Sequence, residues 1–341
     1  MAASAITPVT VLTGFLGSGK TTLLNALVKD PRYSDTAIVV NELGETSIDH
    51  ALIRQSSEKI VTLAGGCICC RAAGDIVRTL RELYDLRFMK EIADFRRVVI
   101  ETSGLADPAP LLATLIEMPV TAARYSLAGV VTTVDAEHGM ATLDAHPESV
   151  KQAAVADRIV ITKIDRAQGP AVEALRARLA ALAPGARIVE AAMGEVDGAL
   201  LFDAGLNRVD SQRPDARGWL NAGAYSSHAA PSLHDPRISS FVWRHEAALA
   251  WDDLATALDT LYDLMGERIL RMKGLVNVEG EPGPRAIHAV QHALYPPARL
   301  PAWPDDDHTT RMVFIGRDLE ESAVTRILES LTARSNQPSQ V

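Results

Sequence analysis

Gly14-Phe15-Leu16-Gly17-Ser18-Gly19-Lys20-Thr21 decides how this chain folds. The stretch spells GxxxxGK[ST]. The apolar, β-branched run Val9–Thr13 precedes it, and the helix-forming run Thr21–Lys29 follows. Strand, glycine-rich turn and helix in that order give the spacing its physical meaning. Glycines let the backbone come close, so that successive N–H groups can face phosphate oxygens. The helix that follows adds its positive end. Gly14, Gly17, Ser18, Gly19, Lys20, Thr21 and Thr22 are therefore the expected phosphate-binding group. Lys20 would neutralise β/γ-phosphate charge as a catalytic residue, and the Thr21 hydroxyl would hold Mg²⁺. The plainer reading, a glycine-rich turn that matches by chance, has to explain away both the strand and the helix.

Outward from this loop, short β-branched runs alternate with longer amphipathic stretches over the first ~200 residues, the pattern of a parallel sheet covered by helices. Strands are expected at Val9–Thr13, Ala37–Asn41, Val98–Thr102, Ala128–Asp135, Arg158–Lys163 and Arg187–Glu190. Helices are expected to begin near Lys20, Gly74, Pro108, Ser149 and Gly169. Val98-Val99-Ile100 is apolar on both faces, as a doubly covered sheet requires. Residues 208–236 are rich in Ala, Ser, Gly, Pro and His and read as a linker. Beyond it, Ile238–His245, Arg268–Val278, Arg285–Leu294 and Thr310–Ile315 resemble strands, and Trp251–Met265 and Leu319–Thr332 resemble helices. The fold class is thus α/β, a P-loop NTPase parallel sheet with helices on both faces, plus a smaller α+β C-terminal domain. The expected domains are 1–207, the linker 208–236, 237–333, and a polar tail at 334–341 read as disordered.

Two strand ends carry further chemistry. Thr162-Lys163-Ile164-Asp165 closes the run Ile159–Ile161. A carboxylate there can accept from the ring N–H and the exocyclic amine of guanine together, a paired donor edge that adenine lacks. Asp165 would thus select GTP, with Lys163 along the base and Thr162 beside it. Glu101-Thr102-Ser103-Gly104 follows Val98–Ile100. An acidic residue at that position can hold Mg²⁺ or its water, or orient the attacking water, which makes Glu101 a metal and catalytic candidate. Gly104 leaves room for backbone to approach the γ-phosphate. Standing alone, each also reads as an ordinary surface strand end.

All three cysteines, Cys67, Cys69 and Cys70, fall in Gly65-Gly66-Cys67-Ile68-Cys69-Cys70. A disulfide framework would spread them, so clustering points to metal or redox chemistry in a reducing compartment. Thiolates suit Zn²⁺ first and would also accept Co²⁺. Glu42 and Glu45, in Asn41–Glu45, offer carboxylates to complete a site. A redox pair and buried structural thiols are the alternatives, although CxxC is the usual redox spacing. His288 and His292, placed on one face of a strand, read as surface or satisfied side chains before ligands, and His228, His234 and His308, placed in loops, could be extra ligands although nothing marks them. Asp135, at a strand end, reads as a cap. The net charge of -9 argues against nucleic acid as the main partner. No apolar run reaches the roughly 20 residues of a membrane span, and Met1–Pro8 has no basic leader, so a cytoplasmic location is expected.

GFLGSGKTTLL, NELGE, GGCICC, ETSGLADP and TKID occur here in the order found in CobW-type P-loop GTPases, and the chain resembles that family, including its YjiA-like and zinc-chaperone members. The resemblance runs from Pro8 to about Gly205 and continues more weakly over Ile238–Arg317. It implies slow GTP hydrolysis coupled to delivery of a divalent metal, often zinc, to a client metalloprotein. On the matching positions it implies Glu42, Cys67, Cys69 and Cys70 as metal ligands and Glu101 on a Walker-B-like strand. Thr162 departs from the Asn of many GTPases, and the His-rich linker of some members is missing. A metal-responsive GTP-binding module and a cobalt-insertion GTPase of cobalamin assembly stay open as alternatives, as does a homo-oligomer.

Overall fold

The computed structural model describes residues 6–41, 60–62, 68–117, 123–193, 195–202, 220 and 238–332. They fall into two compact units. The first is Met1–Ala180 with Ala186–Arg213, and the second is Pro214–Val341 with Ala181–Gly185. The division at Arg213 and Pro214 lies inside the stretch read as linker, of which only Leu220 is described; it is buried.

The first unit contains, in chain order, β1 (Thr7–Gly14), α1 (Lys20–Lys29), β2 (Thr36–Asn41), β3 (Ile60–Thr62), α2 (Ile68–Phe88), β4 (Arg97–Thr102) and α3 (Ala109–Glu117). It continues with β5 (Tyr125–Asp135), α4 (Gly139–Ala145), α5 (Pro147–Ala154), β6 (Arg158–Thr162), α6 (Gly169–Leu182, all but its last two residues), β7 (Arg187–Ala191) and α7 (Gly198–Phe202). The seven strands form one parallel sheet in the order β3-β2-β4-β1-β5-β6-β7. Sequence neighbours diverge from β1 to opposite edges, so a crevice opens at the C-terminal ends of the central strands, where open α/β sheets bind ligands.

Burial explains why these runs are strands. Leu12, Val131 and Val160 share a core with Leu23, Leu24 and Leu27 of α1. On the opposite face, Val11, Ile100, Val130 and Ile161 are equally buried. Both faces are covered, as parallel strands demand. Each fully buried leucine contributes about 1.5–3 kcal/mol. α1 ends where Pro31 follows an extended Asp30.

Several boundaries differ from expectation. β6 ends at Thr162, because Lys163 turns left-handed (φ 55°) into a 3₁₀ turn, Ile164–Arg166. α4, β3 and α7 have too few residues to show a period in sequence. α2 starts at Ile68 rather than near Gly74, so Cys69 and Cys70 lie on helical backbone.

The second unit is β8 (Ile238–His245), α8 (Trp251–Met265), β9 (Ile269–Val276), β10 (Arg285–Val290), β11 (Ala293–Leu294), β12 (Ala298–Arg299), β13 (Thr310–Arg317) and α9 (Glu321–Thr332). Its antiparallel sheet runs β11-β10-β9-β13-β8, with β12 on β10. Leu254, Leu258 and Leu261 of α8 and Val324 and Leu328 of α9 pack with Phe241, Met272 and Phe314 of the sheet. The expected α+β unit is present. The single strand expected over Arg285–Leu294 is two, because Gln291 takes φ 47° and its N–H donates to Leu270 O. This corrects the placement of His288 and His292 on one strand face. His288 stacks on Tyr295 with centroids 4.0 Å apart, while His292 sits in the turn.

Candidate functional site

β1 delivers the chain to the crevice, and α1 carries it away. Between them Gly14, Gly17 and Gly19 adopt φ of 143°, 70° and 91°, values that a side chain strains. At Gly14 a Cβ would also sit 2.3 Å from Thr133 Oγ1. Lys20, buried at the start of α1, turns back over the loop and donates to Gly14 O (2.8 Å) and Phe15 O (3.1 Å). Its ammonium thus lies over the concavity that the loop encloses. Ser18 Oγ shares a 2.6 Å hydrogen bond with Thr133 Oγ1, which ties the loop to β5. Thr22 is exposed in the first turn of α1.

Glu101 is the last residue but one of β4, the strand beside β1, and is 2% exposed. Its Oε1 accepts from Thr21 Oγ1 at 2.9 Å. A hydroxyl and a carboxylate oxygen, 80 residues apart in sequence, thus meet at the mouth of the phosphate loop. Hard oxygen donors of this kind fit Mg²⁺. The turn after β4 presses on the loop, and a Cβ at Gly104 would lie 2.6 Å from Leu16 N and 2.8 Å from Leu16 Cα.

On the other side of the loop stands the end of β6. Thr162 Oγ1 donates to Ser18 O at 2.7 Å, so its hydroxyl braces the loop. Lys163 Nζ donates to Asp135 Oδ2 at 2.5 Å. Burial by itself would raise the Asp135 carboxyl, but the Lys163 ammonium and the Glu137 N–H outweigh it and hold the group below the ordinary carboxylate value. Sequence reading gave Asp135 only a capping role. Its carboxylate accepts from Glu137 N–H at 2.7 Å and so closes the turn after β5, whereas the N-cap of α4 is His138, without a side-chain cap bond; the pairing with Lys163 is added by the fold. Asp165 is exposed at the crevice edge, with Arg166 Nε 4.0 Å from its carboxylate. β6 and β7 pair Thr162 with Ala191, which sets the turn at Ala192–Glu195 next to Lys163–Asp165. Met193 in that turn has φ 52° and is 81% exposed. Nothing in the local sequence marks it.

Under the loop is a cavity of about 240 Å³ between Phe15–Ser18, the end of β5, and the helices α4 and α5. Phe15 stacks on His146 at the α4–α5 junction with centroids 4.4 Å apart. Gln152 of α5 lines the cavity and is fully buried.

Glu42 and Cys67 lie outside the described residues, as does Glu45, and for Cys69 and Cys70 the helical backbone alone is described. Among the described residues, Asp135, Glu137 and His138 bring three ligand atoms within 4.8 Å of one another. The Asp135 carboxylate is already committed to Lys163. Among the described residues no helix is long and apolar enough to cross a membrane.

Comparison with known proteins matches this architecture unit by unit. Residues 8–190 match the CobW/HypB/UreG nucleotide-binding domain. Residues 238–332 match the cobalamin synthesis protein cobW C-terminal domain. The chain is 33% identical over 316 residues to the zinc chaperone YjiA of Escherichia coli (strain K12), covering 93% of this chain and 96% of that one. It is 30% identical to the zinc chaperone CobW of Pseudomonas aeruginosa, covering 96% and 92%. Among solved structures, Zn(II)-bound YjiA GTPase from E. coli superposes with a TM-score of 0.71 at 28% identity over 96% of this chain and 99% of that one. With both of its units matched in order, this chain belongs to the CobW/HypB/UreG family and carries the CobW C-terminal domain.

Proposed function

We propose that this protein hydrolyses GTP and couples its nucleotide state to the binding of a divalent metal ion, zinc first, for delivery to a client metalloprotein. The observation that carries this reading is the meeting of Lys20, Thr21 and Glu101 at one strand-end crevice in a chain whose relatives across nearly its full length are named zinc chaperones.

The residues divide the work by position. The loop amides, with Lys20, would bind the β- and γ-phosphates and neutralise charge that develops on them. Thr21 and Glu101 would hold Mg²⁺, which when bound supplies charge neutralisation between the phosphates. Glu101, at the lip, would also orient water. Asp165 would read the guanine edge, while Lys163, braced by Asp135, and the Ala192–Glu195 turn flank the base. Thr162 would position the loop. Glu42, Cys67, Cys69 and Cys70 would hold the cargo ion, with thiolate softness favouring zinc and accepting cobalt. In the chain Glu42 follows β2, Cys67 precedes α2, and Cys69 and Cys70 stand in its first turn, so the proposed ligands are joined directly to elements of the nucleotide unit and nucleotide state and metal affinity can be linked.

Turnover and metal titration test this together. GTP should be converted to GDP and phosphate, and Lys20→Ala should abolish the conversion. Zn²⁺ should bind with different affinity in the presence of GDP and of a non-hydrolysable GTP analogue. By linkage, zinc must shift the ratio of analogue affinity to GDP affinity by the same factor, and each tenfold corresponds to about 1.4 kcal/mol. Equal zinc affinities in the two nucleotide states would reduce the protein to a GTPase without a metal cycle.

A further inference from the structure

We infer that Gln152, on α5, is a positioning residue that latches the turn after β4 over the phosphate loop and so sets how strongly the site distinguishes GTP from GDP. This rests on the reading of the crevice as a GTP site.

The Gln152 side chain is fully buried. Its amide nitrogen donates to two carbonyls of one turn, Gly104 O at 3.3 Å and Ala106 O at 3.0 Å. That turn is closed internally by Ala106 N–H on Ser103 O at 3.1 Å. Its Gly104 is pressed so closely on Leu16 that a Cβ would meet backbone at 2.6 Å. The amide therefore grips both arms of the segment that lies on the phosphate loop. Rotation of the turn about Gly104 would break both bonds together.

The other half of the amide argues against a merely structural role. Gln152 Oε1 is buried and has no hydrogen-bond partner among the described residues. An orphaned buried acceptor is destabilising, and an apolar side chain of the same volume would avoid it. The pair of N–H donors facing the turn is what the glutamine adds. The helix that bears it is well anchored: Thr132 Oγ1 of β5 donates to Gln152 O at 2.7 Å. The preceding residue grips the same segment, with Lys151 Nζ 2.9 Å from Asp107 Oδ2. α5 thus connects β5, beneath the loop, to the turn above it.

If Glu101 holds Mg²⁺ or orients water as proposed, the turn that follows it and rests on Leu16 would border the γ-phosphate and not the β-phosphate. Releasing it should weaken triphosphate contacts selectively. In Gln152→Met, which keeps volume and removes both donors, affinity for a fluorescent non-hydrolysable GTP analogue should fall about tenfold, or about 1.4 kcal/mol. GDP affinity should change less than about threefold, and kcat should fall more than KM rises. Gln152→Glu, which turns a carboxylate on the two carbonyls, should show the same discrimination and serves if the methionine variant fails to fold. In the unaltered chain, amide exchange across 103–107 should be slower with the analogue than with GDP. Equal loss for both nucleotides, no loss in either variant, or equal exchange in both states overturns the inference. If the unaltered chain binds neither nucleotide, the GTP reading falls with it. If it binds and hydrolyses GTP while the variants keep their selectivity, only the latch falls.

Discussion

At the scale of single residues, the site depends on two backbones that approach each other where no side chain can stand. Gly104 is the contact point, and its Cβ would overlap Leu16 N, Cα and Cδ2 at 2.6–2.8 Å. Backbone cannot step aside as a flexible side chain can, so Gly104→Ala must displace either the turn or the phosphate loop. Misplacement of about 1 Å can cost a reaction about 100-fold. We expect Gly104→Ala to lower kcat/KM for GTP by that order while far-UV circular dichroism stays native. A variant within a few-fold of the parent would show that the turn adjusts freely. The glycine was legible in sequence as room for backbone beside phosphate. That the backbone it admits is Leu16 was not legible, because the two residues lie in turns that follow different strands.

At the scale of elements, α2 is tied to β5 by a buried bond, Tyr125 hydroxyl to Leu80 O at 2.8 Å. Burial pushes the Tyr125 hydroxyl from its ordinary value of 10.0 up to about 12. The folded state therefore holds this proton more tightly than the unfolded chain does. The stability it contributes is full below about pH 10 and is lost as pH rises through about 12. Tyr125→Phe should cost about 0.5–1.5 kcal/mol at neutral pH. It should also flatten the fall in stability between pH 10 and 12 relative to the parent, as read by urea midpoints at each pH. An unchanged alkaline slope would mean that the hydroxyl is not held in this environment. Long periodic elements such as α8 and β8 were read correctly over Trp251–Met265 and Ile238–His245. α4 escaped, since Gly139–Ala145 buries only Gly139 and Leu143 and shows no period to read. The strand expected through Leu294 was broken by the left-handed Gln291, which no glycine announces.

At the scale of the molecule, each unit carries its own apolar core. In the second unit Phe314 is fully buried and stacks on Phe241 with centroids 5.4 Å apart. Phe314→Ala should destabilise this unit by about 3–5 kcal/mol. Trp243 lies in the same core and Trp251 packs against it, so their fluorescence should report an earlier denaturant midpoint. No shift would mean that the core is not organised around this ring. By itself the sequence determined the phosphate loop, the alternation of strand and helix, and the order of the nucleotide motifs. These depend on local backbone freedom and residue period, which neighbours along the chain suffice to express. Tertiary structure alone decided that Thr21 meets Glu101, that Thr162 braces Ser18, that Lys163 rests on Asp135 and that Gln152 grips Gly104. In a parallel sheet, strands become neighbours through crossovers whose helices must pack on either face, and packing over the whole unit settles that order.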